Sequence, residues 1–315
     1  MNMNRRVFLG AVSSVCVDEL LGRECAGVFA TPQSPHIAFP ADPRSRIAIS
    51  AWAFRSIIDA PLNDERDLKL PAMDMKEFAA HVREKFNVAN IEPYNRYFRS
   101  LEPSYLVEFR KALEKGGSRA VNIASDMDFS YYDADAETRA KAIADAKKWI
   151  QVAVAIGSPC VRTSMPPAKD SPPNLDRAAE SLKPVADYGA SKNIVVHLEN
   201  DNLVSEDAFF IEKLVRRVNH PYLHALPDFG NSYGSGDPEF AAGAAKALFP
   251  LAYGISHVKP TATTAEGKAI KVDLAGAFAT AKSAGYHGYF SMEYEGNEEI
   301  HAATSKLIDQ ALKLM

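Results

Sequence analysis

From Arg46 to the C-terminus, short apolar and β-branched runs alternate with longer stretches whose apolar residues recur at helical spacing. A short apolar run bounded by turn residues reads as a buried strand, and a 3.6-residue period reads as a helix packed by one face. The pattern predicts strands over 47–52, 88–92, 120–123, 160–163, 194–199, 224–228, 253–258 and 289–293. It predicts helices over 75–85, 104–115, 136–156, 175–192, 206–218, 239–248 and 274–284, and a last one over 298–314. Gly116-Gly117, Gly157, Gly189 and Gly285 fall near the predicted helix ends, where a left-handed cap favours glycine. Strict alternation makes the strands parallel, because each crossover returns the chain to the same end of the sheet. Eight such units close into a single (β/α)8 TIM barrel of the α/β class.

Length agrees with this reading. The chain has 315 residues, and such a barrel takes about 250. Residues 46–315 are therefore assigned to the barrel and 1–45 to an N-terminal tail, with no linker and no second domain. Hydrophobic residues make up 47% and charged residues 24%, the profile of a globular chain. The net charge is −4, and Lys and Arg are dispersed rather than clustered, which argues against nucleic acid and anionic membranes as partners. No segment is long and apolar enough to predict a membrane span. The three cysteines form no CxxC pair, so neither a cysteine zinc site nor a disulfide framework is indicated.

Residues 4–10 read NRRVFLG, which resembles a twin-arginine export signal, with a small-residue cleavage site at Val28-Phe29-Ala30. Asp18, Glu19, Arg23 and Glu24 interrupt the apolar run that such a signal requires. A working signal implies export to the periplasm; without one the chain is expected to be cytoplasmic.

The chemistry concentrates on the last four strands. The fifth reads IVVHLEN and ends on Glu199-Asn200; the sixth reads HALPDFGN and ends on Asp228. The seventh, GISHVKP, carries His257 near its end, and the eighth, YFSMEYEG, carries Glu293. Successive spacings are 29, 29 and 36 residues, close to one strand–helix unit of about 30. All four groups therefore stand at the same end of neighbouring strands. Any one of them alone equally suits a helix cap, a turn or a core histidine; four in register do not. Three carboxylates at one point repel, and burying them unpaired is costly. A divalent cation removes that cost, so Glu199, Asp228, His257 and Glu293 are assigned as its ligands. Oxygen-rich ligation with one imidazole suits Mn²⁺ or Mg²⁺, with Co²⁺ and Zn²⁺ still open. Asn200 and Asn231 are placed to orient the ligands. The segments 165–174, with four prolines, and 261–271 follow strands. They either shape a pocket at the catalytic face or are surface insertions.

The pieces HLEN, PDFGN, SHVK and MEYEG resemble the xylose-isomerase-like barrel superfamily, and within it the sugar phosphate isomerase/epimerase family. The resemblance runs from about Arg46 to the C-terminus. It implies a metal-dependent isomerase or epimerase with a small carbohydrate substrate. It also implies that Glu199 and Glu293 both bind the metal and move protons through an enediolate. The chain departs from ketose epimerases at two positions that contact substrate in that family, which makes Asn231 and Lys259 substrate-binding candidates. Ketose epimerases carry a histidine where this chain has Asn231, and an arginine where it has Lys259-Pro260-Thr261. Lys259 shares the strand parity of His257, so it either binds substrate or forms a salt bridge at the rim.

Glu92, Tyr94, Arg162 and Arg55 are further substrate-binding candidates, each equally suited to a polar layer inside the barrel. His197 lies one pleat deeper than Glu199 and reads as structural. Two rivals remain: a lyase acting on a keto-sugar or glycoside in the same barrel, and a non-catalytic sugar-binding barrel. A nuclease of the endonuclease IV type needs several zinc ions and more histidines. Of the eight histidines here, only His257 ends a ligand strand. Assembly into a homo-oligomer is left open by the sequence.

Overall fold

Eleven strands and eight α-helices follow one another along residues 34–315, the part of the chain that the computed structural model describes. The NRRVFLG segment and the cleavage site lie outside the described residues. The strands are β1 (Ile47–Ser50), β2 (Asn90–Glu92), β3 (Arg119–Ala120), β4 (Ile123–Ser125), β5 (Cys160–Thr163) and β6 (Val195–Glu199). They continue with β7 (Leu223–Leu226), β8 (Ile255–Val258), β9 (Thr261–Thr263), β10 (Ala269–Lys271) and β11 (Tyr289–Met292). The helices are α1 (Met75–Phe86), α2 (Pro103–Lys115), α3 (Ala136–Ile156) and α4 (Leu175–Lys192). After them come α5 (Ala208–Val218), α6 (Pro238–Leu248), α7 (Leu274–Ser283) and α8 (Ile300–Leu314).

Two parallel sheets make the barrel wall. One runs β3-β2-β1-β11-β8 and the other β4-β5-β6-β7. β3 and β4 are halves of one strand, broken at Val121-Asn122, so the first half pairs with β2 and the second with β5. Isolated parallel bridges join the sheets at both seams: Tyr94 with Ala124 on one side, and Ala225 with Ala252 and Asp228 with His257 on the other. The ring is thereby closed, in the order of a (β/α)8 TIM barrel. Residues of β1, β5, β6, β8 and β11 are all buried, as expected for parallel strands covered on both faces. Carboxylates cap six of the eight described α-helices. Asp74 closes a capping box with Glu77 on α1, and Asp135, Asp207 and Asp273 cap α3, α5 and α7.

The predicted strand–helix order stands, with differences at the ends of elements. The first predicted strand stops at Ser50, whose hydroxyl accepts from the Trp52 amide and turns the chain into a short 3₁₀ turn. The third is split, as above. Residues 261–271 form an antiparallel hairpin, β9–β10. Gly117, Gly157 and Gly285 take positive φ behind α2, α3 and α7, but Gly189 does not. Gly189 lies inside α4, where a Cβ would come within 2.6 Å of the Ile194 carbonyl oxygen, and Asn193 supplies the left-handed cap instead. Beneath the barrel, Phe39 packs edge-on against Tyr253 and Tyr289, closing the end opposite the carboxylates. No described helix is long and apolar enough to cross a membrane.

Candidate active site

The C-terminal strand ends carry the polar groups. Glu199 ends β6, Asp228 follows β7 by two residues, His257 sits in β8 and Glu293 directly follows β11. All four are buried. His257 is the hub: its Nδ1 lies 2.8 Å from Glu199 Oε1, 3.3 Å from Glu293 Oε2 and 3.8 Å from Asp228 Oδ2. Glu199, Asp228 and His257 each offer one ligand atom within 4.8 Å of the others, and Glu293 forms a second such group with His257 and Glu92. The four sequence-predicted ligands thus meet at Nδ1 of His257.

Asp228 is held rigidly. Its Oδ1 accepts from the backbone amides of Gly230 at 2.7 Å and Asn231 at 2.6 Å. Asn200 locks its backbone, accepting from the Asp228 amide at 2.7 Å and donating to its carbonyl at 3.2 Å. Asp228 Oδ2, by contrast, is buried with no hydrogen-bond partner. Burial pushes the Asp228 carboxyl up to about 7 despite Lys259, and Glu199 and Glu293 add to the rise. A buried carboxylate oxygen without a hydrogen-bond partner, beside two more carboxylates and an imidazole nitrogen and with the Lys259 ammonium 3.6 Å away, fits a divalent cation.

Glu92 takes a different position from a substrate contact. It is wholly buried at the end of β2, accepts from Asn122 at 2.7 Å, and lies 2.9 Å from His257 Nε2. A carboxylate on the far nitrogen fixes the tautomer and ring orientation of a ligating histidine, here freeing Nδ1 for the cluster.

The cations are as deliberately placed. Arg162 of β5 reaches Glu199 Oε2 at 2.8 Å and also pairs with Asp126, which accepts from Tyr94 at 2.7 Å. Lys259 is buried and donates to Asn231 Oδ1 at 2.9 Å, with Glu293 Oε1 at 3.0 Å and Glu295 Oε1 at 3.2 Å. Burial opposes its charge, but Asp228, Glu293 and Glu295 outweigh burial and raise its pKa well above the ordinary value. Likewise burial pushes Glu199 up, while His257 and Arg162 outweigh it and hold that carboxyl well below the usual carboxylate range. Asn231 Nδ2 lies 3.3 Å from Glu199 Oε1. Thus Lys259, Asn231, Arg162 and Glu92 are all brought to the cluster.

Arg55 is not. Its guanidinium pairs with Glu65 at 2.7 Å and stacks on the outer face of Trp52. It lines a separate cavity of about 650 Å³, the largest of the pockets described, between the segment after β1 and the start of α8. That space is bigger than the carboxylate chamber of about 270 Å³, but none of the described ligand clusters lies in it. The predicted ligands Glu199, His257 and Glu293 line the smaller chamber. His197 is fully buried and its Nε2 accepts from the Gly254 amide at 3.1 Å, a structural role.

Four groups in the chamber, Trp52, Asp126, Asp201 and Glu295, are absent from the sequence-based candidates. Trp52 donates from Nε1 to Glu295 Oε1 at 2.6 Å, and Asp201 lies 3.4 Å from Arg162. Asp201 and Glu295 each stand two residues beyond a predicted ligand. That spacing was the available signal, and Trp52 closed the first predicted strand.

A sequence model of the xylose isomerase-like TIM barrel family matches residues 78–315. No curated protein matches the chain in sequence. Among solved structures, a xylose isomerase-like TIM barrel protein from Mycobacterium smegmatis in complex with magnesium superposes with a TM-score of 0.65 at 19% identity. It covers 87% of this chain and 98% of its own. The 3-keto-D-glucoside 4-epimerase of E. coli gives 0.61 at 16% identity, covering 85% of this chain and 99% of its own. A D-allulose 3-epimerase from Methylomonas sp. gives 0.61 at 18% identity, covering 88% and 97%.

Proposed function

The chain belongs to the xylose isomerase-like TIM barrel family, and from that premise we propose that it is a divalent-metal-dependent isomerase or epimerase of a sugar. The observation that carries the reading is the buried Oδ2 of Asp228, which has no hydrogen-bond partner, beside Glu199 and Glu293, which both approach Nδ1 of His257. Structural neighbours that are sugar epimerases support the substrate class. Glu199, Asp228, His257 and Glu293 would hold the cation, with Mn²⁺ or Mg²⁺ favoured by the oxygen-rich set. When bound, it would polarise a substrate carbonyl and stabilise the negative charge left when a neighbouring proton departs.

The protein groups divide the remaining work. Glu199 is kept ionised by His257 and Arg162, so it is equipped to accept a proton from the substrate carbon. Glu293 approaches the same ring nitrogen of His257 from β11, with the Lys259 ammonium 3.0 Å from its Oε1. One carboxylate removes the proton and the other returns it. Return on the opposite face gives the epimer, and return to the adjacent carbon interconverts aldose and ketose. Trp52 and Tyr94 line the chamber and offer ring faces against which a sugar can lie. The segment at residues 4–10 is read as a twin-arginine export signal, tested by cell fractionation; an uncleaved cytoplasmic protein would refute it.

The test of the reaction uses metal-loaded enzyme in deuterated water with a panel of keto-sugars. Deuterium uptake next to the carbonyl, with epimer or isomer formation, is expected; elimination products would assign a lyase instead. Glu199→Gln and Glu293→Gln should each lower turnover about 10²–10⁴-fold while retaining part of the metal. Near-native turnover in both variants with metal bound would make these residues ligands only.

A further inference from the structure

The carboxylate cleft continues past the ligand cluster. A second chamber of about 360 Å³ adjoins the first of about 270 Å³, and the two share Asp201, Lys259 and Glu295. Between them stands the Lys259 ammonium, 2.9 Å from Asn231 Oδ1 and 3.2 Å from Glu295 Oε1. One wall of the outer chamber is the β9–β10 hairpin, through Ala262 and Thr263; Gly234 belongs to the turn after Asp228 and faces it.

Size, polarity and charge each restrict what this space can hold. At ~30 Å³ per liquid water, the inner chamber has room for about nine waters, which is one sugar ring and little more. The outer chamber has room for a group of the same size or slightly larger. Its lining combines the exposed side chain of Leu203 with Ala262 and the open face of Gly234, an apolar bed for the C–H face of a ring, beside the Thr263 carbonyl oxygen. A phosphate is disfavoured. Among the lining residues Lys259 alone is cationic, it is already engaged by Glu293 and Glu295, and the Asp201 and Glu295 carboxylates border the same space. No arginine fork, the usual holder of a phosphate, lines it.

We propose that the outer chamber is a second sugar subsite, so that the unit at the carboxylate cluster is one ring of a neutral glycoside such as a disaccharide. This rests on the reading of the cluster as a sugar site. The full chain loaded with Mn²⁺ is titrated calorimetrically with the reducing disaccharides cellobiose, maltose and lactose, beside glucose and glucose 6-phosphate. At least one disaccharide should bind ten-fold or more tightly than glucose, and glucose 6-phosphate no more tightly than glucose. Gly234→Phe fills the outer chamber, because a Cβ there meets only Leu203 Cδ1 and the Thr263 carbonyl oxygen, both at 3.9 Å. It should bring the disaccharide down to the affinity of glucose. If a thermal melt shows that this variant does not fold, Leu203→Trp fills the same space from the exposed rim.

Equal binding of glucose and every disaccharide, no binding of any sugar, tighter binding of the phosphate, or an undiminished disaccharide affinity in the filled variant overturns the proposal. Deuterium exchange into the same sugars is read separately. Exchange without a disaccharide preference removes the subsite and leaves the proton chemistry. A disaccharide preference without exchange leaves the subsite and removes the chemistry.

Discussion

Replacing Lys259 by methionine keeps the length of the side chain and removes its charge. The ammonium lies 3.0 Å from Glu293, 3.2 Å from Glu295 and 3.6 Å from Asp228, all in a largely buried pocket. Deleting one partner of a buried ion pair costs about 3–5 kcal/mol, because the other charge is left uncompensated. For a domain of this size each kcal/mol moves the melting temperature by about 2–4 °C. Lys259→Met should therefore melt roughly 6–20 °C below the wild type in EDTA. A divalent cation supplies the missing positive charge, and at 100 times its Kd it adds about 2.7 kcal/mol. Mn²⁺ should consequently raise the melting temperature of the variant by more than that of the wild type. It should also bind the variant at least ten-fold more tightly, since it no longer competes with an ammonium for Glu293 and Asp228. The assay is thermal denaturation followed by fluorescence, in EDTA and across a Mn²⁺ titration. If the variant melts within about 2 °C of the wild type in EDTA, a difference below 1 kcal/mol, Lys259 is a solvated rim residue. If Mn²⁺ stabilises both proteins equally, the cation binds elsewhere.

Three further outcomes are expected. Asp228→Ala and His257→Ala should each lose bound divalent metal by elemental analysis, and full occupancy in both would move the site. Burial, with His224 and His257 nearby, depresses the pKa of His197 well below its ordinary value. The unfolded chain therefore takes up a proton near pH 6.5 that the folded chain refuses. Stability should be complete above that pH and fall below it by up to about 1.4 kcal/mol per unit. His197→Gln should flatten that slope in urea melts between pH 7.5 and 5.5, and an unchanged slope would clear His197. Finally, a Cβ at Gly254 would meet His197 Cε1 at 2.6 Å and Cys160 Sγ at 2.7 Å. Gly254→Ala should destabilise by about 1–3 kcal/mol, and a native melting temperature would refute the clash.

Much of this arrangement is legible in the sequence because a parallel barrel repeats. Once eight strands alternate with eight helices, residues at equivalent strand ends share one face, so Glu199, Asp228, His257 and Glu293 fall together without further information. What crosses the barrel is not legible. Glu92 is separated from His257 by 165 positions, and only the closed ring sets its carboxylate behind the imidazole. Parity also fails once a strand ends: Asp201 and Glu295 lie past β6 and β11, where loop geometry decides direction. Arg55 illustrates the opposite case, lying away from the carboxylate chamber. It follows β1 as a barrel-mouth residue should, but Ser50 turns the chain early and Glu65, from the long segment before α1, draws the guanidinium outward. The break at Val121-Asn122 left no mark in the hydrophobic pattern, since buried apolar residues flank it on both sides.

The seam between β7 and β8 has a mechanical consequence. Within each sheet neighbouring strands share continuous ladders, whereas this joint, like the seam at Tyr94 and Ala124, is held by isolated bridges, here two, one of them between Asp228 and His257. The pair that would share a cation therefore straddles a thinly stitched line in the cylinder. Filling that position would rivet the two sheets together, and emptying it would leave the cylinder free to open along a predetermined line. In a metal-depleted cell, the amides of His257 and Phe229, which bond across this joint, would be among the first to exchange with solvent. Loss of the cofactor would then be sensed as a loosened wall before it was sensed as lost turnover.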